Sequence, residues 1–233
     1  MDWFPLWNSL RVAAISTVII FLLGILFAWK IAKLPKVIKA TIDVILTLPL
    51  VLPPTVVGYF LLKLLSPNSV LGGFLLETFE VRIIMQWYAA IFSSVIVAFP
   101  LMYRTARGAF ESFDPDLRSA GQTLGLSNIK IFWIIVMPTC KQGIIAGTVL
   151  AFARALGEYG ATSMVAGYTP KQTATISTTV YQLWRIGDDA LALRWVLINL
   201  AISAVFLIII NTVEKRTKQT TVQQSQVFTN AIR

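Results

Sequence analysis

Few residues in this sequence can do acid–base or metal chemistry, and two of them share one face of a predicted helix. Arg154 and Glu158 are four positions apart within a long apolar run, so on a helix their side chains are neighbours. The chain has no histidine and one cysteine, Cys140, which removes the commonest metal ligand and excludes an intrachain disulfide. With a single carboxylate in an apolar run, no acid–base pair or nucleophile dyad can be assembled, and the sequence argues against a membrane-embedded enzyme.

The depth of Arg154 and Glu158 makes their charges costly. An unpaired charge at the centre of a membrane-spanning helix costs at least about 2.5–3.5 kcal/mol, so we expect the two side chains to pair or to face water. Two interpretations stay open. The pair orients its helix, or it forms part of a translocation pathway in which Arg154 lowers the barrier for an oxyanion and Glu158 prevents tight binding.

Composition indicates the elements that must position these residues. Hydrophobic residues make up 56% of the 233 residues and charged residues only 13%, with a mean hydropathy of +0.73. Soluble domains carry about 25% charged residues, so the sequence predicts an all-α, polytopic bundle of membrane helices. The net charge of +9 raises nucleic acid as a partner, but in a membrane protein the placement of the cations is more informative than their sum, and we expect no nucleic-acid partner.

Five apolar runs predict five membrane spans in a single domain, residues 1–213, followed by a polar tail, residues 214–233. The predicted spans are 12–29, 44–65, 88–110, 143–166 and 195–213. Within the loop 168–190, apolar residues recur at helical spacing, which indicates an interfacial helix, a re-entrant helix or a sixth, short span. These residues are Ile176, Val180, Leu183 and Trp184.

The distribution of cations predicts the orientation. Lysines follow the first apolar run rather than precede it, so we expect a retained span with the N-terminus outside and the C-terminus in the cytoplasm. With that orientation, thirteen Lys and Arg residues lie inside and six outside, as the positive-inside rule requires. The same orientation places the segment 114–138 in the cytoplasm.

Three prolines interrupt the second apolar run. Pro49, Pro53 and Pro54 each lack a backbone N–H, and a lipid-facing helix cannot leave the freed carbonyls without partners. We therefore expect the helix to be kinked there and the prolines to face other helices or a wet cavity. They are candidates for the translocation pathway, although a bent, packed helix without a transport role is an equal alternative.

The segment 114–138 reads as two short helices joined by a glycine turn. Asp114 and Pro115 suit the cap and first position of a helix that ends near Leu124, and Gly125 suits a left-handed cap after it. Ser127 or Asn128 can then cap a second helix over 129–136 that ends near Pro138. A stripe of low bulk on the first helix would let a partner's cleft close around it; its residues are Leu117, Ala120, Gly121 and Leu124.

The spacing within this segment resembles the cytoplasmic signature of permease subunits of bacterial ATP-binding-cassette importers. That signature reads Glu-Ala-Ala, three residues, Gly, nine residues, Ile, one residue, Leu-Pro. This chain has Ser119-Ala120-Gly121, then Gly125, then Ile135 and Met137-Pro138 at the same spacing. Serine replaces the glutamate, so the salt bridge that the family makes from that position is not expected here, whereas the backbone shape is.

The resemblance covers most of residues 9–213. "LPLVLPPTVVGYFLL" and "GTVLAFARALGEYGAT" are similar to the permease of molybdate importers, within the molybdate, tungstate and sulfate group. It implies a MetI-like fold, a homodimer in the lipid of the bacterial plasma membrane, cytoplasmic ATPase subunits that bind ATP and Mg, and an extracytoplasmic oxyanion-binding protein. It also implies contacts with the ATPase from a set of residues in the signature segment: Leu117, Ser119, Ala120, Gly121, Leu124, Gly125 and Pro138.

Two further expectations concern the driving force and the substrate. The sequence contains no Gly-x-x-x-x-Gly-Lys-Ser/Thr phosphate loop, so we expect no ATP, other cofactor or metal site in this chain. Tungstate or sulfate are alternatives to molybdate, because in this family the binding protein chiefly sets that choice. An ion-coupled secondary transporter is a weaker alternative, since no internal repeat is apparent and Glu158 is its single candidate carboxylate.

Overall fold

A computed structural model describes residues 2–208, and every regular element in that range is helical. The helices are α1 (Phe4–Ala32), α2 (Lys36–Val51), α3 (Pro54–Leu65), α4 (Val70–Phe79), α5 (Ala89–Glu111), α6 (Pro115–Thr123), α7 (Asn128–Ile131), α8 (Met137–Thr139), α9 (Lys141–Leu156), α10 (Gly160–Val165), α11 (Ile176–Arg185) and α12 (Asp189–Ile208). A π-helical turn, Phe132–Val136, joins α7 to α8 without a break. The all-α expectation is confirmed for the described residues.

Helices α1, α5 and α9 pack together at the centre of the bundle. Ile20, Met102 and Tyr103 are fully buried there. Small residues bring α9 close to α5, because a Cβ added at Gly147 would lie 2.9 Å from Met102 Sδ and one at Gly143 would lie 2.6 Å from an α5 alanine. Such close approach of backbones is the usual means of association between helices in lipid.

Three described helices, α1, α5 and α12, are long and apolar enough to cross a membrane. Two sharply bent pairs, α2 with α3 and the helical segment 128–139 with α9, meet the same criterion when each is taken as one span, which makes up to five. The predicted span 12–29 lies within α1, and the predicted span 88–110 coincides with α5 except at its first and last residues. The fifth, 195–213, overlaps α12, and its last residues, like the tail 214–233, lie outside the described residues.

The prolines of the second span break it rather than merely kink it. The direction of the chain bends by 109° between α2 and α3. Pro54 occupies the first turn of α3, where its missing N–H has no intrahelical partner to lose, and Pro53 precedes it at the cap. Only Pro49 lies inside a helix, near the end of α2.

The prediction of one continuous helix over 143–166 was wrong. Helix α9 starts at Lys141 and ends at Leu156, and after an irregular turn the short α10 begins at Gly160. Gly157, Glu158 and Tyr159 form this turn and interrupt the apolar residues of the run.

The loop after α10 returns to the first turns of α1. The Asn8 side chain donates hydrogen bonds to the carbonyls of Thr173 and Ala174, and Ser9 Oγ accepts one from the backbone N–H of Ile176. Helix α11 has ten residues, fewer than the about 17–25 of a spanning helix, so residues 168–190 do not form a sixth span. Trp184, assigned to the apolar stripe, is exposed.

Candidate functional site

Backbone hydrogen bonds close both ends of α6. Asp114 Oδ1 accepts a hydrogen bond from the N–H of Asp116, with Pro115 in the first turn, as predicted. At the other end Gly125 adopts φ +76°, its N–H donates to the Gln122 carbonyl, and the N–H of Leu126 donates to the Gly121 carbonyl. This pair of bonds is a Schellman motif, which requires a residue in the left-handed conformation where Gly125 lies.

Ser127, rather than Asn128, caps the second helix, since its Oγ accepts from the N–H of Lys130. Asn128 stabilises the turn instead, because its Oδ1 accepts hydrogen bonds from the side chains of Arg118 and Gln122 at 3.2 and 3.3 Å. The prediction that this helix ends near Pro138 is confirmed, because the helical segment ends at Thr139, after the π-helical turn Phe132–Val136.

The residues of the predicted contact stripe divide between two faces of α6. Gly121 is buried against the second helix, and a Cβ there would lie 2.9 Å from Ile135 Cδ1 and 3.2 Å from Ile131 Cγ1. Leu124 is 80% exposed. The other residues predicted to contact a partner are exposed as well: Leu117, Ser119, Ala120, Gly125 and Pro138. The outer face of α6, with Leu117, Ser119, Ala120 and Leu124, is therefore exposed to a possible partner, and we call this face the ridge.

An aromatic cluster ties this module, residues 114–139, to the central helices. Trp29 of α1 lies 5.3 Å from Phe110 of α5 and 4.9 Å from Phe132 of the π-helical turn, between ring centroids. Ile131, beside Phe132, is buried in the same core. Packed side chains thus connect the module to the ends of α1 and α5.

Arg154 and Glu158 form the predicted ion pair, with Arg154 Nη1 2.5 Å from Glu158 Oε2. Their side chains differ in exposure, 29% for Arg154 and 1% for Glu158. The second oxygen of Glu158 accepts a hydrogen bond from the backbone N–H of Ala161 at 2.7 Å. Glu158 therefore caps the start of α10 and orients Arg154, whereas Arg154 is the member of the pair with open surface.

The two breaks in the bundle meet in space. A Cβ added at Gly160 would lie 2.9 Å from Pro54 Cβ and 3.2 Å from the backbone nitrogen of Thr55. One added at Gly58 would lie 2.8 Å from Ala161 Cα. The structure thus brings Pro53 and Pro54, at the start of α3, to the helix end that Glu158 caps, while Pro49 lies on the other side of the break in α2.

A second polar cluster, absent from the sequence interpretation, joins α2 to α5. Asp43 accepts a hydrogen bond from the Tyr103 hydroxyl and forms an ion pair with Arg107. Lys39 Nζ lies 2.8 Å from Glu111 Oε1, which also lies 3.7 Å from Arg107 Nε. The signal available in the sequence was a carboxylate directly before an apolar, proline-broken run, which needs a cationic partner.

The bundle and its capped module define a membrane subunit of a transport system. The chain belongs to the family described as binding-protein-dependent transport system inner membrane component, whose model matches residues 20–219. The family resemblance drawn from the sequence is confirmed by this match.

Among the relatives, the molybdenum transport system permease protein ModB of Escherichia coli (strain K12) is 37% identical over 209 residues, 89% of this chain and 91% of that protein. ModB of Haemophilus influenzae is 37% identical over 131 residues, 56% of this chain and 57% of that protein. The sulfate transport system permease protein CysT of Salmonella typhimurium is 29% identical over 138 residues, 59% and 50% of the two chains.

Solved structures agree on the fold. A bacterial ATP-binding-cassette transporter involved in alginate import superposes with a TM-score of 0.74 at 21% identity, covering 91% of this chain and 78% of that one. The inward-facing MetNI methionine transporter gives 0.69 at 14% identity, covering 93% and 99%. The expected MetI-like permease fold is therefore confirmed.

Proposed function

We propose that this chain is the permease subunit of an ATP-driven importer for molybdate in the bacterial plasma membrane. The observation that carries the proposal is the module of residues 114–139, with its exposed ridge and Schellman turn. The similarity to a molybdenum transport permease, 37% identical over 89% of this chain, supports the substrate. Two copies would form the pore, with the N-terminus outside and the C-terminus in the cytoplasm. An extracytoplasmic protein would deliver the oxyanion.

In this proposal ATP and Mg are bound by separate ATPase subunits, one seated on each α6. The sequence supports the division of labour, since it has no phosphate-loop motif. The structure supports a mechanical role for α6, because the ridge is exposed on one face while Gly121 and the aromatic cluster of Trp29, Phe110 and Phe132 fix the other. Closure of the ATPases would displace α6, and the displacement would reach α1 and α5.

The pathway is proposed at the meeting of the two broken helices. Arg154 is partly exposed and pairs with Glu158, which caps α10 beside this point, and the N-terminal end of α3 carries the positive end of a helix dipole. Discontinuous helices whose N-termini point at anionic groups are a common way to build substrate sites within membranes. Glu158 would hold Arg154 in place and reduce the net positive charge of the site, so that an oxyanion binds weakly enough to pass through.

Uptake of radiolabelled molybdate in cells that lack this subunit tests the substrate. Restoration of uptake by the chain, with strong competition by tungstate and weak competition by sulfate, is the expected result. Competition by sulfate with little by tungstate would move the assignment to sulfate, which the similarity to CysT makes the natural second candidate. Uptake in proteoliposomes driven by an ion gradient without ATP would instead establish a secondary transporter.

Crosslinking tests the docking ridge. A cysteine at Leu124 should crosslink to the co-expressed ATPase subunit, whereas one at Trp133, which is also exposed but lies on the second helix, should not. Absence of a Leu124 crosslink in every nucleotide state would contradict docking at α6. For the pathway, Arg154→Ala should lower uptake while insertion and assembly continue, and normal uptake by that variant would remove Arg154 from the mechanism.

A further inference from the structure

A cavity of about 250 Å³ lies between the end of α1 and the second helix of the module. Two cationic side chains, Lys33 and Arg118, line it together with Asn128. A single water needs about 10–15 Å³, so the cavity has room for a group the size of a phosphate. Its lining residues include neither Arg154 nor any of the residues predicted to contact the ATPase.

Within residues 2–208, no carboxylate pairs with either cation in this cavity. Lys33 Nζ lies 3.7 Å above the Trp29 ring, and Arg118 donates only to the neutral amide of Asn128. Burial, together with the neighbouring Arg118 guanidinium, lowers the pKa of Lys33. The site thus carries uncompensated positive charge, which an anion would relieve.

The surroundings of the cavity are those of a membrane surface. Trp133 lines it and is exposed, and Ile129 and Ile134 on the same segment are exposed as well. Lys30 and Lys36 flank Lys33 where α1 ends. Tryptophan beside clustered cations at the end of a spanning helix is the usual composition of the bilayer interface, and basic pockets between helices there bind anionic lipid head groups.

We propose that the cavity lined by Lys33, Arg118 and Trp133 binds the phosphate of an anionic phospholipid, whose acyl chains lie along the apolar face of Trp133 and Ile134. Because Arg118 is on α6 and Lys33 is on α1, the bound lipid bridges the docking helix to the bundle. The inference rests on the proposed function in one respect, that this end of the bundle lies at a membrane surface.

The test uses the full chain in nanodiscs of phosphatidylcholine with added phosphatidylglycerol, and native mass spectrometry to count retained lipid. The double variant Lys33→Gln, Arg118→Gln should hold phosphatidylglycerol about 30-fold more weakly, at about 1 kcal/mol per cation. The matched control Lys130→Gln, Lys141→Gln removes two exposed cations nearby that do not line the cavity, and it should retain the lipid. Lys33→Arg, which keeps the charge, should retain it too.

Each other outcome overturns the proposal. Equal loss or equal retention in the two double variants would show that surface charge alone attracts the lipid. Displacement of the lipid by inorganic phosphate would identify a site for free oxyanions. Loss of ATPase binding by the Lys33→Gln, Arg118→Gln variant in pure phosphatidylcholine would identify a protein contact. Molybdate uptake and the Leu124 crosslink are measured separately, so a failure of the lipid site is distinguishable from a failure of the proposed function.

Discussion

The contact between the two broken helices depends on the absence of a side chain at Gly58. A Cβ there would lie 2.8 Å from Ala161 Cα, 2.9 Å from Met164 Cβ and 3.1 Å from the Ala161 carbonyl oxygen. The nearest atom is about 0.6 Å inside the ordinary contact distance of 3.4 Å, and it belongs to the α10 backbone, which cannot rotate away. Gly58→Ala must therefore push α3 from α10.

The size of the effect follows from two opposing contributions. Overpacking of this kind costs about 1–3 kcal/mol, while replacing glycine by alanine within a helix gains about 1 kcal/mol. Gly108 supplies a matched control, because it lies within α5 and a Cβ there would meet nothing within 4 Å. Both variants share the helical gain, so the difference between them isolates the clash at about 1–3 kcal/mol.

Thermal unfolding of the purified variants in one detergent measures this difference. Gly108→Ala should melt at or above the temperature of the unsubstituted chain, and Gly58→Ala about 2–12 °C below Gly108→Ala, by the scaling of domains of 150–250 residues. Molybdate uptake should fall for Gly58→Ala alone. Equal melting temperatures and equal uptake for the two variants would refute the close approach of α3 and α10 and, with it, a pathway built at their meeting.

Three further predictions address the module and the ion pair. Glu158→Ala should be less stable than Glu158→Gln by about 0.5–2 kcal/mol in denaturant unfolding, since glutamine keeps an oxygen to cap α10; equal stabilities would show that the cap contributes nothing. Gly125→Ala should lose about 1–2 kcal/mol because its φ is +76°, whereas Gly108→Ala should not, and an unchanged melting temperature for Gly125→Ala would contradict the Schellman turn. Arg118→Gln should raise the pKa of Lys33 by removing one of the two causes that depress it, so acylation of Lys33 at pH 9, which requires the neutral amine, should slow; unchanged labelling would show that burial alone sets that pKa.

Local signals in the sequence were sufficient for features within a few residues of each other. The cap at Asp114 and the left-handed Gly125 follow from residue type and spacing, and both are present. The Arg154–Glu158 pair was predicted from helical spacing and is present, although Glu158 lies just beyond the end of α9. Each depends on backbone geometry that neighbouring residues determine almost alone, which is why a single sequence suffices for them.

Features that join distant parts of the chain could not be predicted in the same way. The contact of Gly160 with Pro54, and the pairing of Asp43 with Arg107, depend on how whole helices pack. The end of α9 at Leu156 was missed because the run 143–166 was interpreted as one span, and mean hydropathy over such a window does not show whether the helix is continuous.

Helix α2 has no fully buried residue within one copy of the chain. Ile42 and Leu46 are partly buried against the central core, and Lys39 and Asp43 make polar contacts with α5. A helix with so few packed contacts opens locally at little free-energy cost. If the proposed assembly covers α2, a copy without its partners would leave this helix exposed to membrane proteases. The cellular amount of this subunit should therefore follow the supply of its partners more closely than its own rate of synthesis.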